Sequence, residues 1–598
     1  MKRRLRIAFA SMLTLVFWVS AGHAAESLHE GLTRLAQDMV YTNARMYPLQ
    51  ATALGLPGHD GELDNPGEAQ RAAQIERLKA WQQQLATLSA GMSAGTALVD
   101  RDDARLLGAQ LARQLNELLV NQTDRKDYGG GANEIVDAVF VQFQHLPVVG
   151  QGGATAADQQ QAWANITSRL ARAPDYIAAA QALATTPCHL FGAIAVQQLD
   201  GVPEFMNGAL TSAAKTQLGA HSRGYARFAK ARDAALAAMA GTRAYISAHL
   251  ASWPENYAVG REAYDRILKD EQLLPYNATD VETMARDELA HGWAEEAWLA
   301  SEAKHRGVAF GPDSGGGLAP GGPALIDYYR ERIAELTQFM AAHNVITVPA
   351  WLGQMQIVET PSFLQPLLPG ANMNPPRLFE TSTTGYYFIT PPKSLEEAAA
   401  RLDMNQDFDH DRILSTAAHE AMPGHFLQLS IAKRHPDFVR RIQSSSVFEE
   451  GWAFYGEEMF VRLGLYGDRL DGRLFTARWE RVRGARAIVD PKLAIGEWTY
   501  EQAVDFYAQQ TSFSHEAAAA QVASMAANPG YYDAYTVGRL QLENLLAEYT
   551  LKMGARASLR DFHDRLLSYG SVPFAVVAPE LLADLDKSAS AVRAAANY

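Results

Sequence analysis

Apolar residues return at intervals of three and four along most of this chain. Ile75, Leu78, Trp81, Leu85 and Leu88 make one such stripe. On a helix turning once every ~3.6 residues they share a face. The spacing, in segments rich in Ala, Leu, Glu, Gln and Arg, predicts helices over 70–88, 104–119, 222–250 and 281–303. Strand-like text is scarce. The best candidate is 385–390, stopped by Pro391 and Pro392, and a second is 344–348. The expected fold is mainly α with a minor β element. At 598 residues the chain exceeds what one core usually holds, so two lobes are expected.

Turn-forming residues divide this pattern. The stretch 307–323 is dense in Gly and Pro and reads as a linker between a helical lobe at 25–306 and a second lobe at 324–598, or equally as a loop within one body. Lys2, Arg3, Arg4 and Arg6 precede an apolar run that is short for a span of ~20 residues, followed by small residues around Ala24. That is the layout of a cleaved export leader over 1–24 rather than a membrane anchor, and it implies a periplasmic or secreted protein. No stable membrane association is expected after cleavage. A net charge of −14 disfavours nucleic-acid partners. Cys188 is the single cysteine, so the fold rests on packing and not on a disulfide.

The chemistry concentrates beyond the Gly/Pro stretch. His419-Glu420 is followed by His425, with Pro423-Gly424 between. Neutral imidazoles suit zinc, and a neighbouring Glu can accept a proton from water. Six residues turn a regular helix by roughly 240°, which would point the two imidazoles apart. The pair meets only if the helix is broken or bulged, and Pro423 and Gly424 supply the means. A third ligand is expected from the following helix, where Ser446 and Glu449 fit a capping box and Gly464 fits the C-terminal stop. Glu450 then stands free to reach a metal. Glu457, two turns along, can hold the far nitrogen of a ligand imidazole. His419, His425 and Glu450 would thus bind one Zn2+, with Glu420 as the general base.

The segments 419–428 and 450–457 resemble the H-E-A-x-P-G-H-x-x-Q and E-G-W-A-x-Y-x-E motifs of the bacterial DUF885 family. The resemblance continues weakly at 273–276, 486–490, 498–503 and 535–538. That family is similar to helical zinc oligopeptidases of the thimet-oligopeptidase and carboxypeptidase-Taq type. The likeness implies a two-lobed helical metallopeptidase-like fold with a deep channel and zinc at its floor. It also implies that Tyr535 donates a hydrogen bond to the oxyanion, against the alternative of a core tyrosine capped by a backbone partner. The chain departs from the family twice. A histidine usual after the Asp490 segment is replaced by Ala494, and Pro529-Gly530 is followed by Tyr531-Tyr532.

These readings converge on zinc-dependent hydrolysis of short peptides. The alternatives are a zinc-dependent amidase or esterase acting on a small amide or a cell-wall-derived substrate, and an inactive helical binding protein.

Overall fold

The computed structural model describes residues 27–150, 153–310, 317–321, 323–361, 371–392 and 409–596. The leader at 1–24 and the part of the Gly/Pro stretch at 311–316 lie outside the described residues. The chain is 71% helical with one small sheet, so it is mainly α with a minor β element.

Helices form where the three-four spacing places them: Glu68–Ser89, Leu98–Asn116, Arg223–His249 and Ala278–Arg306. In the first of these Leu78, Trp81 and Leu85 are buried, with Gln74 beside them. The second stops short of the expected end and passes into a π-helical turn over Glu117–Asn121. The sheet has strands β1 (Met355–Glu359), β2 (Asn372–Asn374) and β3 (Gly385–Ile389) in the order β1-β3-β2. β3 is the strand expected from its alternation. It runs parallel to β1, with Tyr387 opposite Ile357, and antiparallel to β2, with Tyr387 opposite Met373. The other expected strand, 344–348, is irregular chain. Val345 and Ile346 are buried there, so its apolar text reflects core packing and not sheet pairing.

The sheet and the helix Leu28–Met46 both bear on one region. Tyr387, Ile389 and Ile357 pack with Ile413 of the helix His410–Glu420. Leu32, Leu35 and Met39 of Leu28–Met46 share a continuous core with Leu107, Leu414, Ala418 and Trp452. Beyond residues 311–316, Leu318 bridges Asp409, whose side chain caps the helix His410–Glu420 by accepting from Arg412 N. Among the described residues no helix is long and apolar enough to cross a membrane.

Candidate metal centre

The helix carrying His419 ends at Glu420. Ala421 leaves helical geometry, the Met422–Pro423 peptide is cis, and a second helix starts at His425. The six-residue interval is therefore bridged by a full break. Gly424 has φ −61° and ψ −141° at the new helix start. A Cβ there would fall onto the His419 carbonyl oxygen, so this close turn accepts only glycine. The imidazole rings of His419 and His425 meet edge to face, with centroids 4.7 Å apart.

Glu450 comes from the helix Ser446–Leu463. Its cap is Ser445, which accepts from Phe448 N, one residue earlier than the expected capping box. Glu449 is not part of a box: its carboxylate binds Ser444 and Ser571. Gly464, with φ 85°, closes the helix in the left-handed conformation expected of it. Two glycines set the depth of this helix. A Cβ on Gly451 would meet the backbone of Gly538, and one on Gly538 would meet the Val447 carbonyl. The helix Ala534–Met553, which carries Tyr535, thereby lies flush against the Glu450 helix. Trp452 adds a tie by donating from Nε1 to the Pro423 carbonyl at 2.9 Å.

These elements bring three donor atoms together. Glu450 Oε2 lies 3.4 Å from His419 Nε2 and 3.4 Å from His425 Nε2. One ligand-capable atom from each of the three residues lies within 4.8 Å of the others. Ligands held tetrahedrally at ~2.0–2.2 Å from zinc stand about 3.3–3.6 Å apart, so both measured separations fit. Glu450 Oε2 is buried and has no hydrogen-bond partner among the described residues. A buried carboxylate oxygen without a donor is costly unless a cation meets it. Two imidazoles and a carboxylate suit zinc or another divalent transition ion.

The surroundings hold the ligands in place. His419 Nδ1 is 2.7 Å from Glu457 Oε1. Arg483 in turn grips Glu457 with both guanidinium nitrogens, at 2.5 and 3.0 Å. Burial alone would raise the Glu457 carboxyl, but Arg483 and His419 hold it below the usual range. It therefore stays an acceptor and keeps the His419 proton on Nδ1, leaving Nε2 free. The Tyr531 hydroxyl donates to Glu450 Oε1, which commits that oxygen and leaves Oε2 facing the imidazoles. Burial disfavours charge on His419, yet Glu450 and Glu457 push it up to about 9. Burial would also raise Glu450, but His425 and His419 hold it well below the usual carboxylate range. The site favours positive charge between these groups.

Glu420 and Tyr535 stand beside the ligands. Burial pushes the Glu420 carboxyl upward, opposed by His419 and His425. The Tyr535 ring stacks on His419 at 6.2 Å, with the Arg483 and Arg486 guanidinium groups over it at 5.7 and 5.5 Å. Its hydroxyl has no hydrogen-bond partner among the described residues, unlike a core tyrosine capped by backbone.

Arg483, Tyr531 and Trp452 are the residues that sequence reasoning passed over. The departure at Tyr531 was visible, but its contact with Glu450 depends on Asp490. That carboxylate accepts from Gly530 N at 2.9 Å and Tyr532 N at 2.8 Å and so anchors the loop. Ala494, where the family resemblance leads to a histidine, is buried at the end of the Arg483 helix and offers no ligand.

No curated protein matches this chain. Solved structures share its fold, among them two described as putative lipoproteins. One is described as "a putative lipoprotein of unknown function" from Shewanella oneidensis, with TM-score 0.71 and 19% identity, covering 93% of this chain and 100% of that one. The other, described as a "putative lipoprotein" from Colwellia psychrerythraea, has TM-score 0.75 and 18% identity, covering 94% of this chain and 100% of that one. The family model described as "Bacterial protein of unknown function (DUF885)" matches residues 48–581, a span holding every residue of the candidate centre, and the chain belongs to that family.

Proposed function

We propose that this protein is a zinc-dependent peptidase that hydrolyses short peptides. The observation that carries the reading is a buried Glu450 oxygen, without a hydrogen-bond partner among the described residues, standing 3.4 Å from both ligand imidazoles. His419, His425 and Glu450 would hold the ion, and three protein ligands leave a fourth position for reactants. A zinc ion there supplies Lewis-acid polarisation of a carbonyl and acidifies water.

The chain's own residues do the rest. Glu457, clamped by Arg483, fixes the His419 tautomer. Glu420 takes the proton from the attacking water and passes it to the leaving nitrogen, and its upward shift on burial suits a group that must both accept and donate. Tyr535, whose hydroxyl has no hydrogen-bond partner among the described residues, donates to the developing oxyanion. The apolar run after the basic N-terminus, and the lipoprotein descriptions of the two structural relatives, support an exported protein working in the periplasm or outside the cell. The test is Glu420→Gln assayed on a peptide library beside non-peptide amides. It should keep its zinc and lose hydrolysis. Retained turnover would end the mechanism, and native activity confined to non-peptide amides would replace the substrate class.

A further inference from the structure

A second set of ligand-type side chains gathers outside the His419 centre, where the helix Leu28–Met46 meets the approach to the Glu450 helix. Ser27 and Glu30 form a capping box that starts the helix Leu28–Met46, and His29 projects from its first turn with its side chain 50% exposed. Asp437 caps the short helix Phe438–Arg441 by accepting from Arg440 N at 3.1 Å through Oδ1. That commits one oxygen and leaves Oδ2 at 3.7 Å from His29 Nε2. Asp103, from the helix Leu98–Asn116, completes the group: one ligand-capable atom from each of the three residues lies within 4.8 Å of the others.

Acidic residues side by side do not make a site, but Asp103 is an independent sign of one. It is fully buried. Arg440 donates from Nε to Asp103 Oδ1 at 3.0 Å and spends both other nitrogens on Glu580, at 2.8 and 2.6 Å. Asp103 Oδ2 is left buried with no hydrogen-bond partner among the described residues. One guanidinium thus serves two carboxylates, and Asp437 and Asp100 add two more, the latter 3.6 Å from His29 Nδ1. Asp103 Oδ2 thus lacks the donor or cation that a buried carboxylate oxygen needs.

We propose that His29, Asp103 and Asp437 bind a divalent transition-metal ion that staples the N-terminal helix to the segment leading into the Glu450 helix. An imidazole among carboxylates excludes magnesium and calcium as preferred ions, which take oxygen ligands, and selects zinc or a similar metal. The role is structural. The ion would tie three elements that are distant in the chain, and its binding energy would add to folding stability.

Zinc content decides the matter. The purified chain is stripped with chelator, dialysed against Zn2+ alone and analysed by mass spectrometry. Two equivalents are expected in the native protein and one in His29→Ala, whose substitution at an exposed position spares the fold. Asp437→Asn keeps the helix cap but removes the free oxygen, and should also hold one. The His425→Ala background isolates the new site, so that failure of the peptidase reading leaves this test intact. There, one retained equivalent that raises Tm supports the proposal, provided that adding His29→Ala abolishes both the zinc and the rise. Zinc content unchanged by His29→Ala, or a His425→Ala protein holding none, overturns it.

Discussion

The two three-ligand clusters differ in how much of the molecule is spent on holding them. At His419, His425 and Glu450 every ligand is buried; Glu457, clamped by Arg483, orients His419, Tyr531 orients Glu450, and Trp452 ties the Glu450 helix to the Pro423 turn beside His425. At His29, Asp103 and Asp437 only the last two are oriented by neighbours, and the imidazole stands half in solvent. Donor separations follow suit, 3.4 Å at the first cluster against 3.7 Å between His29 and Asp437. The first is built like a reaction centre, where small displacements are expensive. The second is built like a clasp that closes on its ion.

The largest effect that would break this contrast is at Glu420. Glu420→Gln should lower kcat by about 10²–10⁴-fold at unchanged zinc content, the range of a lost general base, read by steady-state kinetics beside metal analysis. Tyr535→Phe comes next. Loss of one oxyanion donor costs about 10²–10³-fold in kcat, and KM should hold nearly still, because the hydroxyl acts in the transition state. A proportional rise in KM would instead make Tyr535 a binding residue.

Glu457→Gln tests the orienting shell and not the ligands. Weakening the partner of a metal-bound imidazole costs about 10–100-fold in metal affinity, measurable by competition with a chelating dye. The matching change at the second cluster, His29→Ala, should remove one zinc and leave kcat unaltered. That pairing separates a centre that reacts from a clasp that only holds.

The smallest effect concerns the floor beneath the Glu450 helix. His563 is fully buried, its Nε2 2.9 Å from the Tyr455 hydroxyl and its Nδ1 2.8 Å from the Val345 carbonyl. Burial lowers it from 6.5 to about 4. The folded state therefore keeps it neutral while the unfolded chain takes up a proton. Its contribution is complete above pH about 6.5 and is lost as pH falls toward about 4, on the order of 3 kcal/mol in all. Urea midpoints followed from pH 7 to 4 should fall, and His563→Gln should flatten that slope.

Much of the first cluster was legible in the residues. The interval between His419 and His425 demanded a break, and Pro423-Gly424 announced one. The residues point to Glu450 because Glu449 fits a capping box with Ser446, whereas in the structure Ser445 is the cap and Glu449 reaches Ser571. Helix ends were missed by a few residues where a π turn takes over, as at Asn116, because periodicity does not register a local change of hydrogen-bond partner. The strand at 344–348 was misread because a buried apolar run has the same text whether it pairs or merely packs. Strands β1 and β2 went unseen for the converse reason, being short and only partly buried.

What the sequence determined by itself is local: helical faces written at intervals of three and four, the proline-glycine break, and the residue types able to hold a metal. Tertiary structure alone decided which distant groups serve them. Arg483 reaches Glu457 from another helix, Tyr531 reaches Glu450 from a loop that Asp490 pins, and His29 meets Asp103 and Asp437 across the body of the chain. The physical reason is that periodicity states which side of an element is apolar, whereas the partner of a buried polar atom is selected by the packing of whole elements against one another.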